Sequence, residues 1–364
     1  MAFGLSSLTS LFKSDTPTLS GNTSVVGIDM GLSAIKIVQL KEERGVPTLE
    51  TYGELQLGPY EGVDIGRGTR LQQQKMVEAL IDIMREAGAT AKNITFALSY
   101  NSSFTATIEI PTTEEQKIGP MVPIEARKYI PISLTKVNLE WFPISVNSEK
   151  NVTETLISAV YNDARTRYET IIHSSGLNAV ASEIEIFSSI RATLSPKDAV
   201  VAILDCGVSS TRLYIVNKGM VVKTHSVLLS GTDLTTAISQ ALAIEFKDAE
   251  ELKRNVGMYG KEGDQRIQKA LTPLLERGLR ELHTVIKRFE EEAGVTVASV
   301  VLSGGGALLK GMNVYIQDMF SKPVTLAEPF SKVAYPAFLE DTLREAGPAF
   351  SVAIGVALRA FQKE

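Results

Sequence analysis

"VVGIDMGLSAIKIVQL", residues 25–40, reads as two apolar strands joined by a short turn, D-M-G-L-S. The stretch "AILDCGVSSTRLYIV", residues 202–216, has the same design. Shifted by 176 positions (29 to 205), Asp29 falls on Asp205, Gly31 on Gly207, Ser33 on Ser209 and Lys36 on Arg212. A single hairpin of this kind is ordinary turn chemistry, because Asp and Gly suit most reverse turns. Two aligned copies half a chain apart point to a duplicated architecture in which each half turns the same loop toward a shared cleft.

A polyphosphate held with Mg²⁺ needs such a pair of loops. Gly31 and Gly207 leave no side chain between backbone N–H groups and a phosphate. Ser33, and Ser209 with Ser210 and Thr211, add hydroxyl donors, and Lys36 adds a point charge. Asp29 and Asp205 repel phosphate, so they make sense facing a hydrated Mg²⁺. Further on, "VVLSGGGALLKG" sets Gly304, Gly305 and Gly306 between a strand and a helix. That loop reads either as a plain βα connection or as bare backbone beneath a flat ligand. In "AEELKR", Glu250 and Lys253 share a helix face, as a surface ion pair or as ligand contacts. Before the second hairpin, "ASEIEIFSSI" offers Glu183 and Glu185, alternate acids that suit a strand edge as well as a water-positioning site.

Bulk properties narrow the class. The 364 residues exceed what one core usually fills. A net charge of -5 argues against a large nucleic-acid surface. The lone Cys206 permits no intrachain disulfide, and His173, His225 and His283 lie too far apart in sequence for a metal motif. No P-loop and no apolar run of about 18 residues occurs, so the reading is a cytoplasmic protein without a membrane span.

Along the chain, residues 1–22 form an arm with Leu5, Leu8, Leu11 and Phe12 at helical spacing. Docking on protein, disorder and membrane contact are all open for it. Strands are expected at 24–30, 34–42 and 46–57, and a helix over 69–88. Residues 93–180 read as a β-rich insertion, with a strand pair at its start and a helix broken by Gly119, Pro120 and Pro123. Thr232 is the expected N-cap of a helix, and 265–293 a long amphipathic one.

With two D-x-G hairpins, a triple-glycine loop and an A-E-x-x-K helix, the chain resembles the actin-like ATPase superfamily of actin, heat-shock chaperones, sugar kinases and FtsA. The insertion resembles the SHS2-like subdomain of the FtsA branch. Within that branch, "GIDMGLSAIKIVQL", "EARKYIPISL", "AEELKRNVG" and "GPAFSVAIGVALRAF" are similar to the PilM family of type IV pilus assembly. The resemblance implies an α/β duplicated two-domain fold: a first actin-like domain at 23–92 and 181–199, the insertion at 93–180, a second domain at 200–330 and a closing segment at 331–364. It implies ATP with Mg²⁺ between the halves, Glu250 and Lys253 near ribose and base, and Gly304 to Gly306 beneath the nucleoside. It further implies an adaptor at the inner face of the membrane, for pilus assembly or the related type II secretion machine. Its partners would be the N-terminal cytoplasmic tail of a PilN-like bitopic protein and other inner-membrane components, with self-association open. ATP turnover would be slow or absent. The alternative is an FtsA-like cell-division ATPase or polymer.

Overall fold

A computed structural model describes residues 23–195, 199–259 and 265–362, so the arm at 1–22 lies outside the described residues. The first sheet opens with β1 (Ser24–Met30), β2 (Ala34–Glu43) and β3 (Val46–Gln56), an antiparallel meander. Val25, Val26 and Ile28 of β1 are fully buried, as a central strand demands. After α1 (Gln73–Glu86), β4 (Asn93–Leu98) pairs in parallel with β1, and β8 (Asn178–Ile184) in parallel with β4. The order is therefore β3-β2-β1-β4-β8.

The second half repeats this plan. Strands β9 (Val201–Cys206), β10 (Thr211–Asn217) and β11 (Met220–Val227) form the meander. Strands β12 (Ser299–Ser303) and β13 (Val324–Leu326) extend it in parallel, giving β11-β10-β9-β12-β13. Helices α5 (Gly231–Leu242), α6 (Phe246–Asn255), α7 (Arg266–Ala293) and α8 (Met312–Phe320) belong to this half. Helix α7 buries Ile267, Leu271, Leu275, Leu279, Leu282 and Ile286 along one stripe, and Gly294 in the left-handed region ends it. The N-cap of α5 is Ser230, whose Oγ accepts from the Asp233 N–H, and not the expected Thr232.

Between β4 and β8 lies a separate three-stranded sheet, β5 (Ser103–Ile110), β7 (Val152–Tyr161) and β6 (Val137–Asn147), ordered β5-β7-β6. Helix α2 (Glu115–Ala126) covers it, burying Ile118, Val122 and Ala126. Two expectations fail here. Strand β4 pairs within the first sheet, so it forms no hairpin with β5. Helix α2 runs on through Pro120 and Pro123, because its four-residue apolar repeat packs with Ile108, Ile110, Ile157 and Ala159. Helix α3 (Asn162–Ser174) then leads back to the first sheet, and Gly176 at φ 72° closes it.

The closing helix α9 (Glu340–Arg359) returns to the first domain and lies over β1, β2 and β4 beside α4 (Glu185–Thr193). Its small residues are required by distance. A Cβ on Gly355 would fall 1.9 Å from the Ser188 carbonyl oxygen, and one on Gly27 would fall 2.2 Å from that of Ala353. Backbone meets backbone at both places.

Candidate functional site

Both hairpin turns fold by the same rule. Gly31 N–H donates to the Ala34 carbonyl at 3.1 Å, and Gly207 N–H to that of Ser210 at 2.9 Å. A Cβ on either glycine would crowd the same carbonyl, at 3.0 Å and 3.1 Å. The strand register also repeats, pairing Asp29 with Lys36 and Asp205 with Arg212. The two turns line one cavity of about 780 Å³, within the usual size of small-ligand sites.

Asp29, Gly31, Ser33 and Lys36 line the cavity from the first half, and Asp205, Gly207 and Ser209 from the second. Ser210 and Thr211 do not. Both are buried, and Thr211 Oγ1 donates to the Leu229 carbonyl at 2.8 Å, because strand β10 turns that side chain inward. Lys36 lines the cavity and makes no ion pair among the described residues. Its counterpart Arg212 is engaged, with Nη1 2.7 Å from Glu185 Oε1 and 3.4 Å from Asp205 Oδ2. The equivalent positions thus carry different duties.

Glu250 and Lys253 form a pair at 2.7 Å, nearly buried, so the surface ion-pair reading fails. Thr235 Oγ1 and Arg254 Nε also donate to Glu250. Both residues line the cavity, as do Gly304, Gly305 and Gly306. Two of the three glycines are required by close contact. Gly304 (φ 81°) and Gly306 lie against Asp205 and Cys206, where a Cβ would fall 2.6 Å from Asp205 Oδ1 and 2.9 Å from Cys206 Cβ. Nothing stands within 4 Å of a Cβ on Gly305.

The two acids before β9 separate. Glu183, fully buried on β8, pairs with Arg191 of α4 and Arg359 of α9, and accepts from Ser188 Oγ at 2.6 Å. Burial alone would push its carboxyl up, but the two guanidinium groups and Ser188 hold it below the ordinary range. It ties three elements together, so the reading of Glu183 as a site residue does not hold. Glu185, the first residue of α4, lines the cavity and accepts at Oε1 from the Tyr100 N–H at 2.7 Å. Burial, with Asp205 and Asp29 nearby, raises its carboxyl to about 7 against the pull of Arg212. Asp29 is raised to about 6, chiefly by burial.

Sequence reasoning missed the loop at 57–72. Its Thr69 and Arg70 line the cavity, and Gly66 abuts Glu250. The only cue was the glycine pair in "GRGTR", residues 66–70.

Two α/β halves with equivalent hairpins across one cleft define an actin-like fold. The chain belongs to the family described as type IV pilus assembly protein PilM, which matches residues 27–361. Among solved structures it is similar to a PilM-PilN type IV pilus biogenesis complex, with TM-score 0.79, 24% identity, and coverage of 95% of this chain and 100% of that one. MreB5 of Spiroplasma citri bound to ADP shares the fold at TM-score 0.53 and 13% identity, covering 94% of this chain and 96% of that one. Cell division protein FtsA of Helicobacter pylori is 28% identical over 256 residues, 63% of this chain and 49% of that protein. The chain spans about half or less of the curated relatives it matches.

Proposed function

We propose that this chain is an ATP-binding adaptor of the type IV pilus assembly machine, docking the N-terminal cytoplasmic tail of a PilN-like bitopic membrane protein. The observation that carries the nucleotide reading is the pair of equivalent glycine turns facing one cavity beside Lys36, which makes no ion pair among the described residues. The ADP held by the MreB5 relative supports it. Family membership and the similarity to a PilM-PilN complex support the tail as partner.

The residues fit Mg²⁺ with a polyphosphate. Asp29, Asp205 and Glu185 face the cavity; Arg212 contacts Glu185 and Asp205, whereas Asp29 makes no ion pair among the described residues. No group of three or more His, Cys, Asp or Glu among the described residues forms a metal cage. Asp29 and Asp205 would therefore hold the ion through water, as Mg²⁺ prefers. The ion supplies charge neutralisation along the phosphates. Gly31, Ser33 and Lys36 bind phosphate from one side, and Gly207 and Ser209 from the other. Glu250 and Lys253 meet ribose and base, and Gly304 to Gly306 pass beneath the nucleoside. Glu185 is the one acid of its pair placed to orient water, and turnover is slow.

No described helix is long and apolar enough to cross a membrane. The partner tail, lying between the first domain and the inserted sheet, would bring the chain to the inner face of the membrane. The FtsA matches favour a second reading, an ATP-dependent polymer. Sedimentation of the chain into filaments with ATP, absent without it, would support that reading instead.

Equilibrium binding of ATP tests the nucleotide site. Gly207→Val sets a branched side chain against the Ser210 carbonyl and abolishes binding, while Asp205→Ala removes the response to Mg²⁺. A folded Gly207→Val chain with the parent's affinity would end the assignment.

A further inference from the structure

The loop at 57–72 leaves the first half, crosses the cleft and returns. On its own side it is fixed to the first turn, with Leu57 N–H donating to the Ser33 carbonyl and Thr69 N–H to that of Leu32, both at 2.8 Å. On the far side, the Gly66 carbonyl accepts from Thr232 Oγ1 at 3.1 Å. The Arg67 guanidinium stacks 3.8 Å from the Phe246 ring centroid. Gly66 (φ 92°) lies so close to Glu250 that a Cβ would fall 2.4 Å from its carboxyl carbon. The loop therefore bridges the phosphate turn of one half and the Glu250 helix of the other.

Two of its side chains, Thr69 and Arg70, have no partner among the described residues. Thr69 is 9% exposed and its Oγ1 is buried without a hydrogen bond, which native interiors seldom tolerate unless a ligand or water completes it. Arg70 is exposed, lines the cavity and makes no ion pair among the described residues, although Arg67 pairs with Asp64 and Lys75 with Glu61 nearby. A hydroxyl acceptor-donor and a planar guanidinium beside a phosphate turn match the oxygens of a phosphoryl group.

We propose that this loop is a clasp of the nucleotide site, with Thr69 and Arg70 as further ligands of the terminal phosphates. The inference rests on the nucleotide reading above. Arg70 then distinguishes ATP from ADP and adenosine, and the Arg67–Phe246 stack sets how long any nucleotide stays.

The test measures affinities for ATP, ADP, adenosine and inorganic triphosphate in the full chain. Arg70→Gln lowers affinity for ATP and triphosphate by about tenfold, for ADP by less, and leaves adenosine unchanged. Thr69→Val acts in the same order with smaller effect. Arg67→Ala, outside the cavity lining, speeds release of ATP and ADP alike. An unaltered ATP-to-ADP ratio in Arg70→Gln, with the parent chain binding ATP, overturns the clasp and leaves the site standing. Failure of the parent chain to bind ATP overturns both.

Discussion

Replacing Glu183 with Gln should cost stability and leave nucleotide chemistry intact. The carboxylate is fully buried, 2.8 Å from Arg191 Nη2, 3.1 Å from Arg359 Nη1 and 2.6 Å from Ser188 Oγ. It joins β8, α4 and α9, and Arg191 continues to the Gly355 carbonyl at 3.0 Å. Breaking one side of a buried ion pair costs about 3–5 kcal/mol, because the remaining charge stays desolvated. Glutamine keeps the shape and one acceptor, so the lower end, about 3 kcal/mol, is expected. Urea unfolding followed by circular dichroism reads it. The pH dependence adds a signature. The folded carboxyl sits below its ordinary value of 4.5, so its contribution is present above the unfolded pKa and is lost as pH falls through the folded one. The gap between parent and variant therefore holds from pH 7 down to the ordinary value of 4.5 and narrows only below it. An unchanged unfolding curve with abolished ATP turnover would refute this and return Glu183 to the site.

Glu185→Gln should keep ATP affinity within about threefold and cut turnover about 100-fold, the low end for losing a positioned base. Parent turnover should rise with pH through about 7, as the burial-raised Glu185 carboxyl ionises; a flat profile and unchanged rate would remove it from the chemistry. Gly355→Ala should unfold at lower urea than the parent, because its Cβ would stand 1.9 Å from the Ser188 oxygen; equal stability would show that α9 can lift off α4.

Much of the fold was legible in the sequence because the duplicated hairpins carry it. Their apolar alternation fixes β1, β2, β9 and β10, and the 29-to-205 shift fixes their equivalence. What period-2 patterning cannot say is which sheet a strand joins, so β4 was grouped with β5 although it pairs with β1. The prolines of α2 looked like helix breakers because packing of Ile118 and Val122 is invisible locally. The alternation of Glu183 and Glu185 suggested one face. Instead β8 ends between them, sending one acid to Arg191 and Arg359 and the other to the cavity. The helix expected from residue 69 begins only at Gln73, which leaves Thr69 and Arg70 in the clasp loop, where only three-dimensional contact reveals them.

The adaptor reading is tested most directly by calorimetric titration of the chain with a peptide of the PilN-like cytoplasmic tail, with and without Mg-ATP. The account predicts saturable binding whose affinity changes about 5–150-fold with ATP, and an equal factor on ATP affinity when the peptide is present. Absence of peptide binding both with and without ATP would contradict it.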